Sequence, residues 1–568
     1  MHVSTVPASQ RRLGVRAISR LGVAALAFGL FSFGGASAYI GASFAQLPGI
    51  VGGAQGADYK NWLKIEGHYW KSDDVGGIFN RRRGGGLRNP VFYSYPSAPR
   101  KGADQLVIAV DKRSPMLSRL MAMCAKKAIL PEMTFAESAA RARAPAEIGP
   151  KPDEVPAFFE YKLKEIEFSS CPAVEGAPDQ AFVLSFKDIQ WLSAQGEVEG
   201  KEVDGRAVTL IPASLPQLRT TGVTKTFVVS WWANANDVSD DQCPKLNQKP
   251  PEEAYYAWMS PDAAAKEREA LKAKGGVSYE NGTMARRGPE RLNVCLLPGI
   301  ARDTGHFAPQ TKAARGIDLD GDDGTGAPPK GVCRHKNYVA DDGRTGIDHQ
   351  MYTVLGCMPG YQGHKGFLMQ YRNEQRRNGA LSVLVQISGI DNEKNDDSIN
   401  VTILYSKDPM AKKADGSRIL PDYTFRLSEE ARHTHYVTRV QGRIVDGAIV
   451  TEPAKHFQMV LGIDPELNLY EARMHLRIMP DGTLKGVVAG YEDWRKLMII
   501  NANSNSENLY GFQCPGLYQA FKRAADGLKD PVTGECNGIS SAYDIEGVPA
   551  FIPPSQQRTL IAQAERAR

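Results

Sequence analysis

The 568-residue chain lacks the short motifs that announce common chemistries. Neither HExxH nor GxSxG occurs, so a zinc-protease helix and a serine nucleophile elbow have no support. CxxC and CxxCH are also missing, which removes the usual evidence for zinc ribbons, thioredoxin-like redox centres and haem attachment. No haem or nucleotide cofactor is therefore expected. There is no internal repeat and no heptad pattern, which argues against solenoids and coiled coils. Excess charge is absent too. Of 69 Lys and Arg, four (Arg11, Arg12, Arg16, Arg20) lie in the first 45 residues, which hold no acid, and the others face 64 Asp and Glu. Without that segment the chain is balanced to one charge, and such a balance leaves no electrostatic footprint for nucleic acid or an anionic membrane. What is present is a folded composition, 42% hydrophobic and 23% charged, long enough for two to four domains.

Residues 1–45 read as a leader, either a signal peptide or an N-terminal membrane anchor. An arginine-bearing start precedes an apolar run from Leu21 to Tyr39, with small residues at Ala36-Ser37-Ala38 and Ser43-Phe44-Ala45 as cleavage motifs. The expected location is periplasmic or secreted from a bacterium, or anchored through residues 21–45. The eight cysteines, Cys124, Cys171, Cys243, Cys295, Cys333, Cys357, Cys514 and Cys536, all follow the leader. An oxidising compartment would pair them. The simplest of the many pairings joins sequential neighbours: 124 with 171, 243 with 295, 333 with 357, and 514 with 536.

The fold class expected is mainly β. In residues 58–192, alternating runs at Leu106–Val110, Phe159–Lys164 and Ala181–Phe186 suit strands, and one amphipathic helix runs from Ser114 to about Lys127. Residues 193–349 form a loop-rich, disulfide-bearing region with a strand at Thr226–Trp232 and a helix from Ser260, where Ser-Pro makes a cap. Residues 350–552 are the most regular. Strands at Leu381–Ile387, Ile399–Tyr405, His435–Val445, Phe457–Ile463 and Ala472–Ile478, joined by Gly/Asp turns, predict an antiparallel β-sandwich with short helices, closing in a helix at Leu517–Ala525.

The run Val110-Asp111-Lys112-Arg113-Ser114-Pro115-Met116-Leu117 with its helix, together with Tyr161–Ile166 and Phe186–Ile189, resembles the Hcp tube-protein family of type VI secretion. The resemblance spans residues 58–192. It implies a small β-barrel with one side helix, and oligomers through that domain. The leader and the basic loop at Arg81-Arg82-Arg83 depart from the family, so the expectation is the barrel without the secretion role.

The most conspicuous polar cluster is Asp318-Leu319-Asp320-Gly321-Asp322-Asp323. Alternating carboxylates in a flexible loop can converge on calcium, so Asp318, Asp320, Asp322 and Asp323 are candidate ligands. Asp323 stands where an EF-hand needs glycine, and a solvated acidic turn explains the pattern equally. The loops Asp391–Asp397 and Asp526–Pro531 read as turn chemistry. His335, His349 and His364, and the pair His433 and His435, are not tied together by any motif. Glu471 with His475, or Glu492 and Asp493 beside Trp494, would be the groups to serve a glycosidase, although such a tryptophan more often belongs to the core.

The sequence thus predicts an exported structural or binding protein of the envelope or extracellular space with an unknown ligand and no enzymatic role. The alternatives are a carbohydrate-active enzyme built on the sandwich and a type VI tube-like protein with a fused C-terminal domain. No nucleic-acid partner is expected, and contact with a membrane only through the leader.

Overall fold

A computed structural model describes residues 43–558 apart from loop segments, the longest being 72–103, 139–156, 276–289 and 499–513. The apolar leader run, Ala36-Ser37-Ala38, Arg81-Arg82-Arg83, His433 and His435 lie outside the described residues. Among those described, no helix is long and apolar enough to cross a membrane.

Eight strands build a first sheet: β1 (Ser43–Gln46), β2 (Leu63–Ile65), β3 (Gly67–Trp70), β4 (Gln105–Asp111), β5 (Ile129–Ser138), β6 (Ala157–Ser170), β7 (Asp179–Ser185) and β8 (Asp188–Ala194). The hydrogen-bonded order is β2-β1-β5-β6-β7-β4-β3, with β8 beside β6. A single residue, Glu66, separates β2 from β3, and its N–H donates to Ala109 O of β4 at 2.8 Å. The two ends of the path are therefore one interrupted strand, and the sheet is a closed barrel. Its interior is aromatic: Trp70 meets Phe135, Tyr161 and Phe186 edge-on, an arrangement favoured by ring quadrupoles. Helix α1 (Leu117–Ala125) buries Leu120 and Cys124 against it, and Cys124 is bonded to Cys171 just beyond β6.

The barrel begins earlier than residue 58. Ser43-Phe44-Ala45 is buried and hydrogen-bonded on both sides, to β2 and to β5. A leader ending at residue 45 would cut through this strand.

The run Leu106–Val110 is apolar without alternation because β4 is covered on both faces. Leu106, Ile108 and Val110 point into the barrel. Val107 and Ala109 pack outside it, with Ala181 and Val183 of β7, against Tyr255 and Tyr256 of α2 (Pro251–Tyr256), Ala264 and Leu271 of α3 (Pro261–Lys272), and Val294, Leu297 and Ile300. Ser260 caps α3, its Oγ accepting from Ala263 N.

After a small hairpin of β9 (Val198–Val203) and β10 (Arg206–Leu210), a second sheet follows. It contains β11 (Val223–Asn234), β12 (Ser382–Ile390), β13 (Asp396–Ser406), β14 (Tyr423–Thr424), β15 (Thr438–Val445), β16 (Ala448–Thr451), β17 (Ala454–Leu461), β18 (Asp464–Ile478), β19 (Leu484–Asp493), β20 (Gly527–Lys529) and β21 (Cys536–Phe551). Its path runs β11-β12-β13-β15-β16-β18-β19-β21, and β21 also pairs with β11, from Thr226↔Ala550 to Asn234↔Tyr543. The facing layers expected of a sandwich are thus opposite walls of one closed sheet. β11, assigned by sequence to the linker region, is the strand that closes it. Val229, Val385, Ile403, Ile444, Met474 and Leu484 share its core. The outer face of β11 to β13 is covered by Met410, Ile419, Phe425 and Leu427, which is why β12 is buried along its whole length. Helices α4 (Gln350–Leu355), α5 (Phe367–Arg377) and α6 (Cys514–Ala524) pack on this sheet.

Charged groups cross from barrel to second sheet. Lys64 pairs with Glu66 at 3.0 Å and Glu535 at 2.8 Å, Arg495 reaches Glu535 at 3.4 Å, and Lys522 reaches Glu66 at 3.5 Å. Asp179, 3% exposed, lies over Gly299, where a Cβ would have no room. With Glu66, Arg495 and Tyr518 it lines a cavity of about 30 Å³, the size of one water. Burial, reinforced by the charge of Glu66, pushes the Asp179 carboxyl up to about 7.

Two outcomes follow. Phe44→Ala empties a fully buried position and should cost about 3–5 kcal/mol, and a chain starting at Leu47 should melt well below one starting at Tyr39; equal melting temperatures would remove β1 from the barrel. For Asp179, the folded carboxyl keeps its proton to about pH 7 whereas an unfolded one loses it near pH 4. The folded state binds more protons between those values, so this group lowers stability as pH rises from about 4 to 7. Urea unfolding of Asp179→Asn should show that decline flattened relative to the parent, and parallel profiles would contradict the assignment.

Candidate functional site

Four segments meet beside the start of β21. The first is the acidic loop, held by an antiparallel bridge between Ile317 and Asp348. The second is the stretch around His335, two residues beyond Cys333, which is disulfide-bonded to Cys536 at the first position of β21. The third is Asp348, two residues before α4. The fourth is Asp526, which follows α6 and whose N–H donates to Gly538 O of β21 at 2.9 Å.

His335 is the centre. Its Nδ1 lies 2.8 Å from Cys333 O, an acceptor, so Nδ1 carries the hydrogen. Its Nε2 lies 2.7 Å from Asp348 Oδ1, and 4.0 Å from both Asp320 Oδ2 and Asp526 Oδ2. The four side chains are nearly sealed: His335 is 4% exposed, Asp320 5%, and Asp348 and Asp526 0%. Fixed donors hold the outer oxygens. Asp348 Oδ2 accepts from Leu319 N at 2.6 Å. Asp526 accepts from Ser540 N at 2.7 Å and Ser540 Oγ at 2.6 Å, and that hydroxyl oxygen accepts from Gln350 N at 2.8 Å. Asp320 Oδ1 accepts from Asp322 N at 2.7 Å. Asp320 Oδ2 is buried with no hydrogen-bond partner.

Three buried carboxylates about one imidazole perturb one another. Burial pushes Asp320 up to about 6, with the charge of Asp348 adding to it. Burial carries Asp526 up to about 7 against the opposing pull of His335 and Ser540. For His335 burial acts downward, but the hydrogen bond to Asp348 and the charge of Asp526 outweigh it and take the ring up to about 10. With Nδ1 already a donor, Nε2 can face Asp348 only as N–H or across a shared cation, since two lone pairs would repel.

Of the four aspartates expected to gather round calcium, only Asp320 enters this group. Among the described residues the side chains able to share an ion are Asp320, His335 and Asp348. Asp318 Oδ1 instead accepts from Gly321 N at 2.7 Å within the turn, the Asp322 carbonyl accepts from Asn337 Nδ2, and Asp323 is exposed. The loop turns over Gly321 at φ +77°, which aims successive carboxylates in different directions. Asp526 appeared to be turn chemistry and is a buried member of the cluster. The assumed link between Cys333 and Cys357 concealed this, because the bond to Cys536 places the start of β21 beside the His335 segment.

The remaining pairings also differ from sequential neighbours: only Cys124–Cys171 is one, and the others are Cys243–Cys357, Cys295–Cys514 and Cys333–Cys536. The other candidates serve the fold. His349 is buried with Nδ1 against Arg315 O at 2.9 Å, and burial pulls it down to about 3. His364 stacks on Trp231. Glu492 accepts from the Tyr543 hydroxyl at 2.6 Å, Asp493 accepts from Arg495 N at 2.9 Å, and Trp494, 1% exposed, packs on Tyr518. In the loop after β12, Asp396 accepts from Asp391 N and Ser398 N.

No protein-family model matches the chain, and no curated protein matches it. Solved structures do. A type six secretion system protein is 14% identical and covers 26% of this chain and 82% of its own, with a TM-score of 0.18. Hcp2 from Salmonella typhimurium is 13% identical over 26% of this chain and 84% of its own, at 0.17. A type VI secretion system effector from Yersinia pestis is 14% identical over 26% and 85%, also at 0.17. The likeness is to a quarter of the chain and stays at the level of fold.

Ser540→Ala removes the hydroxyl that joins Asp526 to Gln350 N. It should lower stability by about 1–3 kcal/mol, the range for a buried polar group losing its partner. Denaturant midpoints unchanged by the substitution would show the cluster to be solvated rather than sealed.

Proposed function

We propose that this chain is an exported, non-catalytic structural or binding protein of the bacterial envelope or extracellular space, in which disulfides hold two closed β-sheets and the segments around them in one arrangement. The observation that carries the reading is the pairing of all eight cysteines in four disulfides, none left free. Three of them join residues 114, 219 and 203 positions apart. Bonds of that kind form and persist in an oxidising compartment. They constrain the unfolded chain most when the loop they close is long, at about 2–4 kcal/mol each. A second support is the use made of one of the two candidate sets for sugar hydrolysis: Glu492, Asp493 and Trp494 are engaged in hydrogen bonds and packing under the surface.

The test is export followed by peptide mapping without reduction. Expressed with its own N-terminus, the protein should appear outside the cytoplasm with no alkylatable thiol, and digestion should release the linked pairs 243–357, 295–514 and 333–536. Reduction should lower the melting temperature by many degrees. A cytoplasmic protein with free thiols at Cys295 and Cys514 overturns the reading.

A further inference from the structure

We propose that Asp320, His335 and Asp348, backed by Asp526, form a closed structural site for one divalent transition metal of the zinc class. The donor set is the first argument. One imidazole nitrogen and three carboxylates converge from four chain segments, and the ligand atoms of Asp320, His335 and Asp348 lie within 4.8 Å of one another. Calcium takes six to eight oxygens at 2.3–2.6 Å, more than this sealed group offers. An imidazole with carboxylates selects a borderline ion that accepts four ligands.

The second argument is independent of the acidity. Asp320 Oδ2 has no hydrogen-bond partner, its side chain is 5% exposed, and it faces His335 Nε2 across 4.0 Å. An ionised oxygen buried without a donor loses its hydration with nothing in return. A cation shared with His335 and Asp348 would supply what is missing.

The outer contacts of the cluster also match those of a metal site. His335 Nδ1–H is held by the Cys333 carbonyl, Asp348 Oδ2 by Leu319 N, and Asp526 by Ser540. Partners of this kind orient metal ligands and set the histidine tautomer. The atoms that converge are Nε2, Asp320 Oδ2 and Asp348 Oδ1, and behind them Asp526 Oδ2, which also accepts from Ser540 Oγ. Around a four-coordinate zinc with bonds of about 2.0–2.2 Å, neighbouring ligand atoms stand roughly 3.3–3.6 Å apart. The present separations from Nε2, 2.7 and 4.0 Å, lie on either side of that value. The four side chains are at most 5% exposed, which fits a structural role. The ion would join the acidic loop, the His335 segment and the residues before α4, of which the Cys333–Cys536 bond fastens only the His335 segment, to the start of β21.

The test uses the full folded chain, stripped with chelator and returned to ZnCl₂, CoCl₂ or CaCl₂ separately. Elemental analysis after gel filtration should find one Zn²⁺ per chain, with a raised melting temperature. Co²⁺ in its place should show the intense visible absorption of a four-coordinate site. Asp320→Asn, which preserves shape, should weaken Zn²⁺ binding at least tenfold with an unchanged circular dichroism spectrum, while Asp322→Asn should bind as the parent does. Because His335→Gln could unfold the region, Asp320→Asn is the deciding variant. Binding of Ca²⁺ in preference to Zn²⁺, a six-coordinate Co²⁺ spectrum, no stoichiometric metal, or undiminished binding by Asp320→Asn would each overturn the proposal. It does not rest on the compartment proposed above: a metal-free chain with four intact disulfides would leave that reading standing, and a zinc-loaded chain with free thiols would leave this one.

Discussion

The antiparallel pairing of β11 with β21 is the constraint on which the rest of this structure depends. It brings Ser230 and Glu546, 316 residues apart in sequence, into hydrogen-bonding contact, and it turns an open sheet into a closed one. Closure removes the sheet edges that would otherwise be free to pair with other chains and gives the second half of the protein an interior. β21 then has β11 and β19 as long neighbours and β20 and β14 at its ends. A strand so committed is a rigid floor, tied to the His335 cluster by the Cys536 disulfide, the Gly538 carbonyl and the Ser540 hydroxyl.

Contacts this distant in sequence have a large loop-closure cost, which grows slowly with length but must be met before any pairing stabilises the fold. The long-range disulfides bear on this directly. Cys295–Cys514 fastens the segment that covers the barrel to α6, and Cys333–Cys536 fastens the His335 segment to β21. The ion pairs Lys64–Glu535, Lys522–Glu66 and Arg495–Glu535 lie along the same junction. Partly buried pairs add little net stability, but breaking one by removing a partner leaves a costly charge. They therefore define how the barrel meets the second sheet more than how tightly.

Much of the architecture was legible in local pattern. Runs such as Leu106–Val110 and Leu381–Ile387 are mostly apolar and rich in Val and Ile, and strands formed over them. Ser260-Pro261 announced α3 because an N-cap and a first-turn proline are local interactions. The misreadings were of two kinds. Ser43-Phe44-Ala45 looked like a cleavage motif because small residues suit both a protease and the interior of a barrel. Asp318, Asp320, Asp322 and Asp323 looked like one ligand set because spacing along a chain says nothing about where a turn aims each carboxylate.

The sequence by itself determined a β-rich class and an even set of cysteines fit for disulfides. Each of these follows from composition or from neighbours a few residues apart. Only the tertiary structure decided which cysteines join, that both sheets close, and that His335 meets Asp320, Asp348 and Asp526. Those outcomes depend on which strands pair across hundreds of residues, and register between distant strands is set by the fit of their buried faces, a property of the assembled core that no single segment carries.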